Sequence, residues 1–301
     1  MKENFKSGYV AIVGRPNVGK STILNKLVGQ KIAIMSPKPQ TTRSKILGIL
    51  HEDDFQAVFL DTPGFHKPRT VLGENMIKAV NDAIDGVDMV MLVVEPVDRV
   101  YDLEKEIISK IGSLPAVLVI NKTDTVKKDE LLTVISNYSK LYDFADIVPV
   151  SGRTGENLGE LKNVISSHLP EGPMYYPEDM VTDQMEKEIV AELIREKILK
   201  TLRDEIPHGT AVEIVKMKYH KTENGDRFDI SANIFCEKNS HKGIIIGKGG
   251  KTLKEIGTLA RIDCEKMLDA KVFMELWVKV KEDWRNSNSI MRELGILEKE
   301  D

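Results

Sequence analysis

A chain of 301 residues is long enough for two domains with separate cores, since single domains usually run about 100 to 200 residues. The formal net charge is −4, with 21 Lys and Arg against 24 Asp and Glu up to residue 179 and 22 against 23 beyond it. Neither half is basic, so a polyanionic partner must be held by a local patch rather than drawn by a global field. Cys236 and Cys264 are too few and too far apart for a zinc cluster and read as buried thiols of a reducing cytosol. The N-terminus "MKENFKSGYV" lacks an apolar signal core, and runs such as Met89 to Val94 fall far short of the roughly 18 residues a membrane span needs, so the expectation is a soluble, cytoplasmic protein.

From Tyr9 to about His168 short apolar runs alternate with longer amphipathic stretches, the pattern of βαβ units around a mostly parallel, doubly wound sheet. Strands are predicted at "YVAIVG", "QAVFLDTPG", "MVMLVVE", "AVLVINKTD" and "DIVPVS". Each runs into a polar or glycine-containing turn, and such turns gather at the C-terminal edge of the sheet, where doubly wound folds bind ligands. This α/β domain spans 7–170. A Pro- and Gly-rich stretch, "LPEGPMYYPEDMVT", keeps neither helical nor strand period, and 171–183 is assigned as linker. Beyond it lies a smaller α+β region, 184–301. It opens with a helix whose Ile189, Leu193, Ile194, Ile198, Leu199 and Leu202 share one face, and continues with two strands joined at the hairpin signal "ENGD". A lysine loop around Lys248, a helix over 251–268 and a last strand "VFMELWVKVK" follow.

Gly14, Arg15, Pro16, Asn17, Val18, Gly19, Lys20 and Ser21 fit GxxxxGK[ST] between a predicted strand and a predicted helix, the context that confirms a phosphate-binding loop. Its glycines let successive N–H groups turn toward a β-phosphate, Lys20 bridges the β- and γ-phosphates, and Ser21 ligates Mg²⁺. Asp61 of Asp61-Thr62-Pro63-Gly64 ends an apolar strand, as expected of the acid that holds Mg²⁺, and Gly64 can present its N–H to the γ-phosphate. Asn121, Lys122 and Asp124 of "NKTD" end the next strand but one. A carboxylate at Asp124 accepts from both N1–H and the exocyclic amine of guanine, a pattern adenine lacks.

Together with Ser151-Gly152, whose backbone would support the guanine, these motifs resemble those of a small GTPase domain. The resemblance makes "PKPQTTR" (37–43) the first switch, with Thr42 rather than Thr41 completing the Mg²⁺ shell in the GTP state. It makes Lys20, Asn17, Thr42 and Gly64 the catalytic set. One departure bears on mechanism. Many such enzymes orient water with a glutamine directly after the DxxG turn, whereas this chain has Phe65, so intrinsic hydrolysis should be slow. Asn17 stands either as a turn-former after Pro16 or, as in related bacterial GTPases, as a seat for K⁺ against the phosphates.

"GKGGKT" near the C-terminus fails as a second nucleotide loop, because the first glycine of that pattern would fall on Ile245. What remains is GxxG, Gly247, Lys248, Gly249 and Gly250, set between helical stretches. Five lysines and no acid lie from Lys238 to Lys254. The element order and the patch resemble a type II KH domain over about 205–282, with Lys242, Ile246, the GxxG residues and Lys251 as RNA contacts. The whole chain resembles the Era-type family, bacterial ribosome-assembly GTPases. That likeness implies GTP and GDP with Mg²⁺, binding near the 3′ end of 16S rRNA, a role in maturation of the 30S subunit, peripheral association with the cytoplasmic face of the inner membrane, and a monomer. Two other readings compete with it: a non-enzymatic RNA-binding factor using nucleotide as a clamp, and a membrane-signalling GTPase with a basic lipid-binding tail. His208, His220 and His241 lack metal-ligand spacing and are read as surface or RNA-contacting residues.

Overall fold

The computed structural model describes residues 4–36, 38, 41–65, 68, 70–223, 225–294 and 296–297. Pro37, Pro39 and Gln40 of the predicted first switch, His66, Lys67 and Arg69 after the DTPG turn, and Asn224 of the predicted hairpin lie outside them. Two compact units result, Met1–Arg69 with Gly73–Asp183, and Thr70–Leu72 with Gln184–Asp301.

In the first unit six strands lie side by side in the order β2-β3-β1-β4-β5-β6: β1 Lys6–Val13, β2 Ile46–His51, β3 Phe55–Asp61, β4 Met89–Val94, β5 Ala116–Ile120 and β6 Asp146–Pro149. All pairs are parallel except β2 with β3. The strands are near-continuous apolar runs because both faces are covered. Ile12, Phe59 and Met91 pack under α1 (Lys20–Val28) and α5 (Leu158–His168). Val13, Leu92 and Leu118 pack under α2 (Val71–Ile84), α3 (Asp102–Ile111) and α4 (Lys128–Ser139). β1 sits between β3 and β4, so the chain leaves it toward opposite sides of the sheet, and the crevice this opens at the strand ends is where a ligand fits.

Two features differ from expectation. β2 carries no strong strand signal, because Gly48 interrupts its apolar run. That glycine lets α1 approach, since a Cβ there would stand 2.7 Å from Leu24 Cδ1 and 2.8 Å from Ile32 Cδ1. The Pro-rich stretch after α5 has no helix or strand, yet it is strapped to the first unit. Ser7 N donates to Pro170 O (3.0 Å), Gln56 Oε1 accepts from Tyr175 N and Tyr176 N (2.8 and 3.1 Å), and Ile49 N donates to Val181 O (2.9 Å). The strap thereby covers the exposed edge of β2, which would otherwise present unpaired amides.

In the second unit α6 (Glu186–Thr201), α7 (Asn239–Ile246) and α8 (Lys251–Leu268) pack on one face of a sheet ordered β7 (Ala211–His220), β8 (Arg227–Cys236), β9 (Lys271–Val280). β7 and β8 are antiparallel, β8 and β9 parallel. The face predicted for α6 is buried, with Ile189, Leu193, Ile194, Ile198 and Leu202 in the core beside Cys236 and Cys264, which are free and buried thiols. A closing segment is held by Trp284, fully buried with Nε1 donating to Gly209 O (3.0 Å), and by Arg285 on Glu237 (2.6 Å), before α9 (Asn288–Glu293). His208 is buried at 8 % exposure, which corrects its reading as a surface residue: the one-turn segment Ile206–Gly209 folds it in ahead of β7.

Both tryptophans, Trp277 and Trp284, lie in the second unit, so tryptophan emission reports that unit's unfolding alone. Ile198→Ala should lower its stability by about 2 to 5 kcal/mol, as for other buried aliphatic truncations. Denaturant titration followed by tryptophan emission checks this, and a midpoint unmoved from wild type would contradict the packing of α6.

Candidate functional site

The phosphate end of the crevice is built from the loop between β1 and α1. Lys20 is 6 % exposed, and its Nζ donates to Gly14 O and Arg15 O, both at 3.1 Å. Ser21 Oγ donates to Asp61 Oδ2 (2.6 Å) and lies 3.1 Å from Thr42 Oγ1. Thr41 is turned the other way, its hydroxyl donating to Lys38 O (2.6 Å), so Thr42 is the threonine beside Ser21. Burial pushes the Asp61 carboxyl up to about 6 against the opposing pull of Lys20 and Ser21, and pushes the Lys20 ammonium down to about 8 against the pull of Asp61. Asp61 Oδ1 is buried with no hydrogen-bond partner among the described residues. An orphaned carboxylate oxygen next to two hydroxyls is a set of hard oxygen donors, and it fits Mg²⁺.

A cleft of about 570 Å³ runs from here to the loops after β5 and β6, touching Pro16, Asn17, Gly64, Asp124 and Arg153 among others. Asp124 accepts from Ser151 Oγ (2.5 Å) and pairs with Arg153 (2.5 Å). The Ser151 hydrogen bond first, then the Arg153 charge, holds its carboxyl below the usual carboxylate range. The Asn121 amide is taken up by protein partners: its Nδ2 donates to Val18 O (2.7 Å) and its Oδ1 accepts from Gly152 N (2.9 Å). Lys122 pairs with Glu95 and Thr62 Oγ1 donates to Ile12 O (2.8 Å). Of the NKTD side chains, then, Asp124 is the one that presents a carboxylate to the cleft. Pro63 links Thr62 to Gly64, which abuts Pro16.

Phe65 takes no part in the cleft. Its N donates to Gly14 O (3.1 Å), while its ring is 2 % exposed in the core with Lys110 Nζ 4.5 Å above it. Arg15, placed by the motif at the phosphates, turns its guanidinium toward α3. Nε donates to Glu104 Oε1 (2.7 Å), Nη2 to Glu95 Oε2 (3.3 Å), and the group stacks 3.7 Å from the centre of the Tyr101 ring. Glu104 is fully buried and also accepts from Tyr138 OH (2.6 Å) and Tyr101 N (2.8 Å). Sequence reasoning missed Glu95, Glu104, Arg153 and Thr125; the first two lie on no motif, whereas Arg153 directly follows Ser151-Gly152 and was legible by adjacency.

The second unit carries the GxxG turn at the junction of α7 and α8. Gly249 has φ 61° with nothing within 4 Å of where a Cβ would stand, so the backbone at the tip is open, and Lys248 and Lys251 beside it are exposed. Lys242 is half-buried on α7, and Ile246 packs partly against the core. A groove of about 360 Å³ continues from Gly250 along Leu253, Gly257 and Arg261 of α8 to Leu276 of β9. Gly250 was singled out in the sequence as an RNA contact, whereas Gly257 and Arg261 were not; these two follow GxxG at helical spacing, which was the available signal.

Residues 9–122 match the family described as "50S ribosome-binding GTPase", and residues 205–285 match the KH domain. The chain is 50 % identical over 98 % of its length to GTPase Era of Clostridium novyi (strain NT), all of which is covered. It is 53 % identical over 97 % of its length to GTPase Era of Alkaliphilus oremlandii (strain OhILAs), 99 % of which is covered. Two crystal structures superpose with TM-score 0.92, each covering 97 % of this chain and 99 % of the other. One is a variant of Aquifex aeolicus Era bound to GDP·AlF4⁻, 38 % identical. The other is Era in complex with MgGDPNP and nucleotides 1506–1542 of 16S ribosomal RNA, 39 % identical. With a P-loop GTPase domain followed by a KH domain and about half of its residues shared with curated relatives along their full length, the chain belongs to the Era family of GTPases.

Proposed function

We propose that this GTPase is a switch in maturation of the small ribosomal subunit, binding near the 3′ end of 16S rRNA through its GxxG loop. One observation carries the reading: a single chain builds both a triphosphate-sized cleft ending on the Asp124 carboxylate and an acid-free lysine loop with an open backbone. The 39 % identical Era whose structure contains MgGDPNP and 16S rRNA nucleotides holds both ligand classes at once, which supports the same pairing here.

In this reading Asp124 accepts from N1–H and the exocyclic amine of guanine, with Ser151 and Gly152 framing the base. Lys20 and the N–H groups of Asn17 to Ser21 counter the charge of the β- and γ-phosphates. Ser21, Thr42 and Asp61 hold Mg²⁺, which when bound neutralises phosphate charge. Phe65 is locked in the core, so no side chain there orients the attacking water, and intrinsic hydrolysis is slow. Asn17 stands in the left-handed region (φ 66°) at the cleft wall, which suits both the turn-former and the K⁺-seat roles, and we assign it the second. RNA then modulates turnover to the extent that the KH domain binds it differently in the two nucleotide states. The buried Phe65 also favours a second reading, a nucleotide clamp that releases almost no phosphate with or without RNA.

Asp124→Asn should weaken GTP binding at least about ten-fold and shift preference toward xanthosine triphosphate, since an amide can donate to the 2-oxo group that replaces the amine. A competition assay in which GTP preference is unchanged would remove Asp124 from the base site. Steady-state phosphate release should run several-fold faster in K⁺ than in Na⁺, and equal rates would return Asn17 to the turn-former role. Replacing Lys248 and Gly249 together by Asp should lower affinity for 16S 3′-end RNA at least about ten-fold, because two carboxylates face the phosphates. The fold should survive, because space around Gly249 is open and Asp tolerates the left-handed region better than most residues. Filter binding checks the affinity. Phosphate release beside it should show basal turnover retained and RNA stimulation lost, and a variant that binds RNA as wild type does would make the loop structural.

A further inference from the structure

Helices α6, α7 and α8 cover one face of the three-stranded sheet, and the other, though buried at Ala211, Asn233 and Phe235, is exposed along β9 at Lys271, Phe273, Glu275, Trp277 and Lys279. Strand register defines the other: Lys218, Asp229 and Phe273 form one row across it, Lys216, Ser231 and Glu275 the next, and Glu213, Asn233 and Trp277 a third. Phe273 and Trp277 are 56 % and 61 % exposed, whereas Trp284 is fully buried. Leaving two large rings on one strand in water forgoes their burial, which for aromatics is a large term. Lys216, Lys218, Lys271 and Lys279, which share this face, are exposed, and none of them forms an ion pair among the described residues. The acids are mostly engaged already. Asp229 pairs with Arg227 and His220 (both 3.0 Å), and Glu213 accepts from Asn233 Nδ2 (2.9 Å).

We propose that this open face is a stacking platform for single-stranded nucleic acid, on the opposite side of the sheet from the GxxG helices. Trp277 and Phe273 take the faces of bases, and the four lysines meet phosphates. The two rings are four residues apart on β9, roughly 13 Å at about 3.3 Å per residue. That exceeds the about 3.4 Å between stacked neighbours in a duplex, so the bound strand must be splayed, as single strands can be and duplexes cannot. Glu275 lies exposed between the rings and accepts from the N–H groups of a base edge. The same carboxylate argues against a lipid surface. Rings inserted into a bilayer would carry Glu275 toward the acyl region, where an unpaired charge is costly.

The proposal stands on the sheet face and not on the GxxG assignment, and the test separates the two. In the full chain, with and without the Lys248→Asp, Gly249→Asp pair, tryptophan emission is followed during titration with an unstructured oligouridylate of about 12 nucleotides, within the span of known stacking sites. The expected result is saturable quenching in both backgrounds, absent in Trp277→Phe, where the buried Trp284 is the remaining emitter. Trp277→Leu should lower oligonucleotide affinity about five-fold or more in the GxxG-altered chain, and Lys216→Gln with Lys218→Gln should reduce the log–log salt slope by about 1.4. An RNA duplex of equal length should not quench. Unquenched emission, affinities unchanged by these variants, quenching by phosphatidylserine vesicles but not by RNA, or a Trp277-dependent dimer in sedimentation would each overturn it.

Discussion

Everything at the nucleotide cleft depends on one buried amide. Asn121 directly follows β5, and its two hydrogen bonds tie the loop after β1 to the loop after β6 through Val18 O and Gly152 N. Three strand ends are thereby held to one geometry by a side chain whose amide is taken up by protein partners. Gly19 packs so closely on it that a Cβ there would fall 2.1 Å from Nδ2. A buried amide with donor and acceptor both satisfied is rigid, because breaking either bond leaves an unpaired polar group in the core. On the other flank the buried Glu104 does the same for Arg15, whose carbonyl in turn receives Lys20. The phosphate loop is gripped from both sides before any phosphate arrives.

Electrostatics then divides the work. Lys20 and Asp61 are buried with their charges only partly countered, which is why both shift toward neutrality. A polyphosphate with a divalent cation is the kind of ligand that restores both charges at once. The second unit is arranged differently, with cations at the surface around an open turn. Lys248 and Lys251 stay exposed and the backbone at Gly249 stays uncovered, so long-range attraction and close approach come from separate groups. An overall charge of −4 conceals this, because the patch is a matter of local order along one turn and two helices.

Reading the chain alone, strand ends, loop motifs, the face of α6 and the span of α8 were legible because each rests on local rules: apolar period, glycine at turns, and turn residues directly after apolar runs. The family likeness followed from motifs in order. Sequence could not show which side of a motif residue faces the cleft. Arg15, Thr62, Asn121 and Lys122 sit inside the motifs, yet all four side chains turn to protein partners, since only the packed neighbours decide where a hydrogen bond can be completed.

Other features existed only once distant segments met. β2 needed its partner β3 and the gap over Gly48, neither of which has a local signature. The stretch after α5 read as a free linker because prolines remove helical and strand period. Its carbonyls and amides nevertheless found Ser7, Gln56 and Ile49, more than a hundred residues away. Glu104 became a support for the phosphate loop because α3 brings its carboxylate to Arg15. Composition and short-range pattern thus determined the elements and the chemistry available at their ends. Tertiary packing decided which groups became buried, and burial is what turns a carboxylate, an amide or a ring into a fixed part.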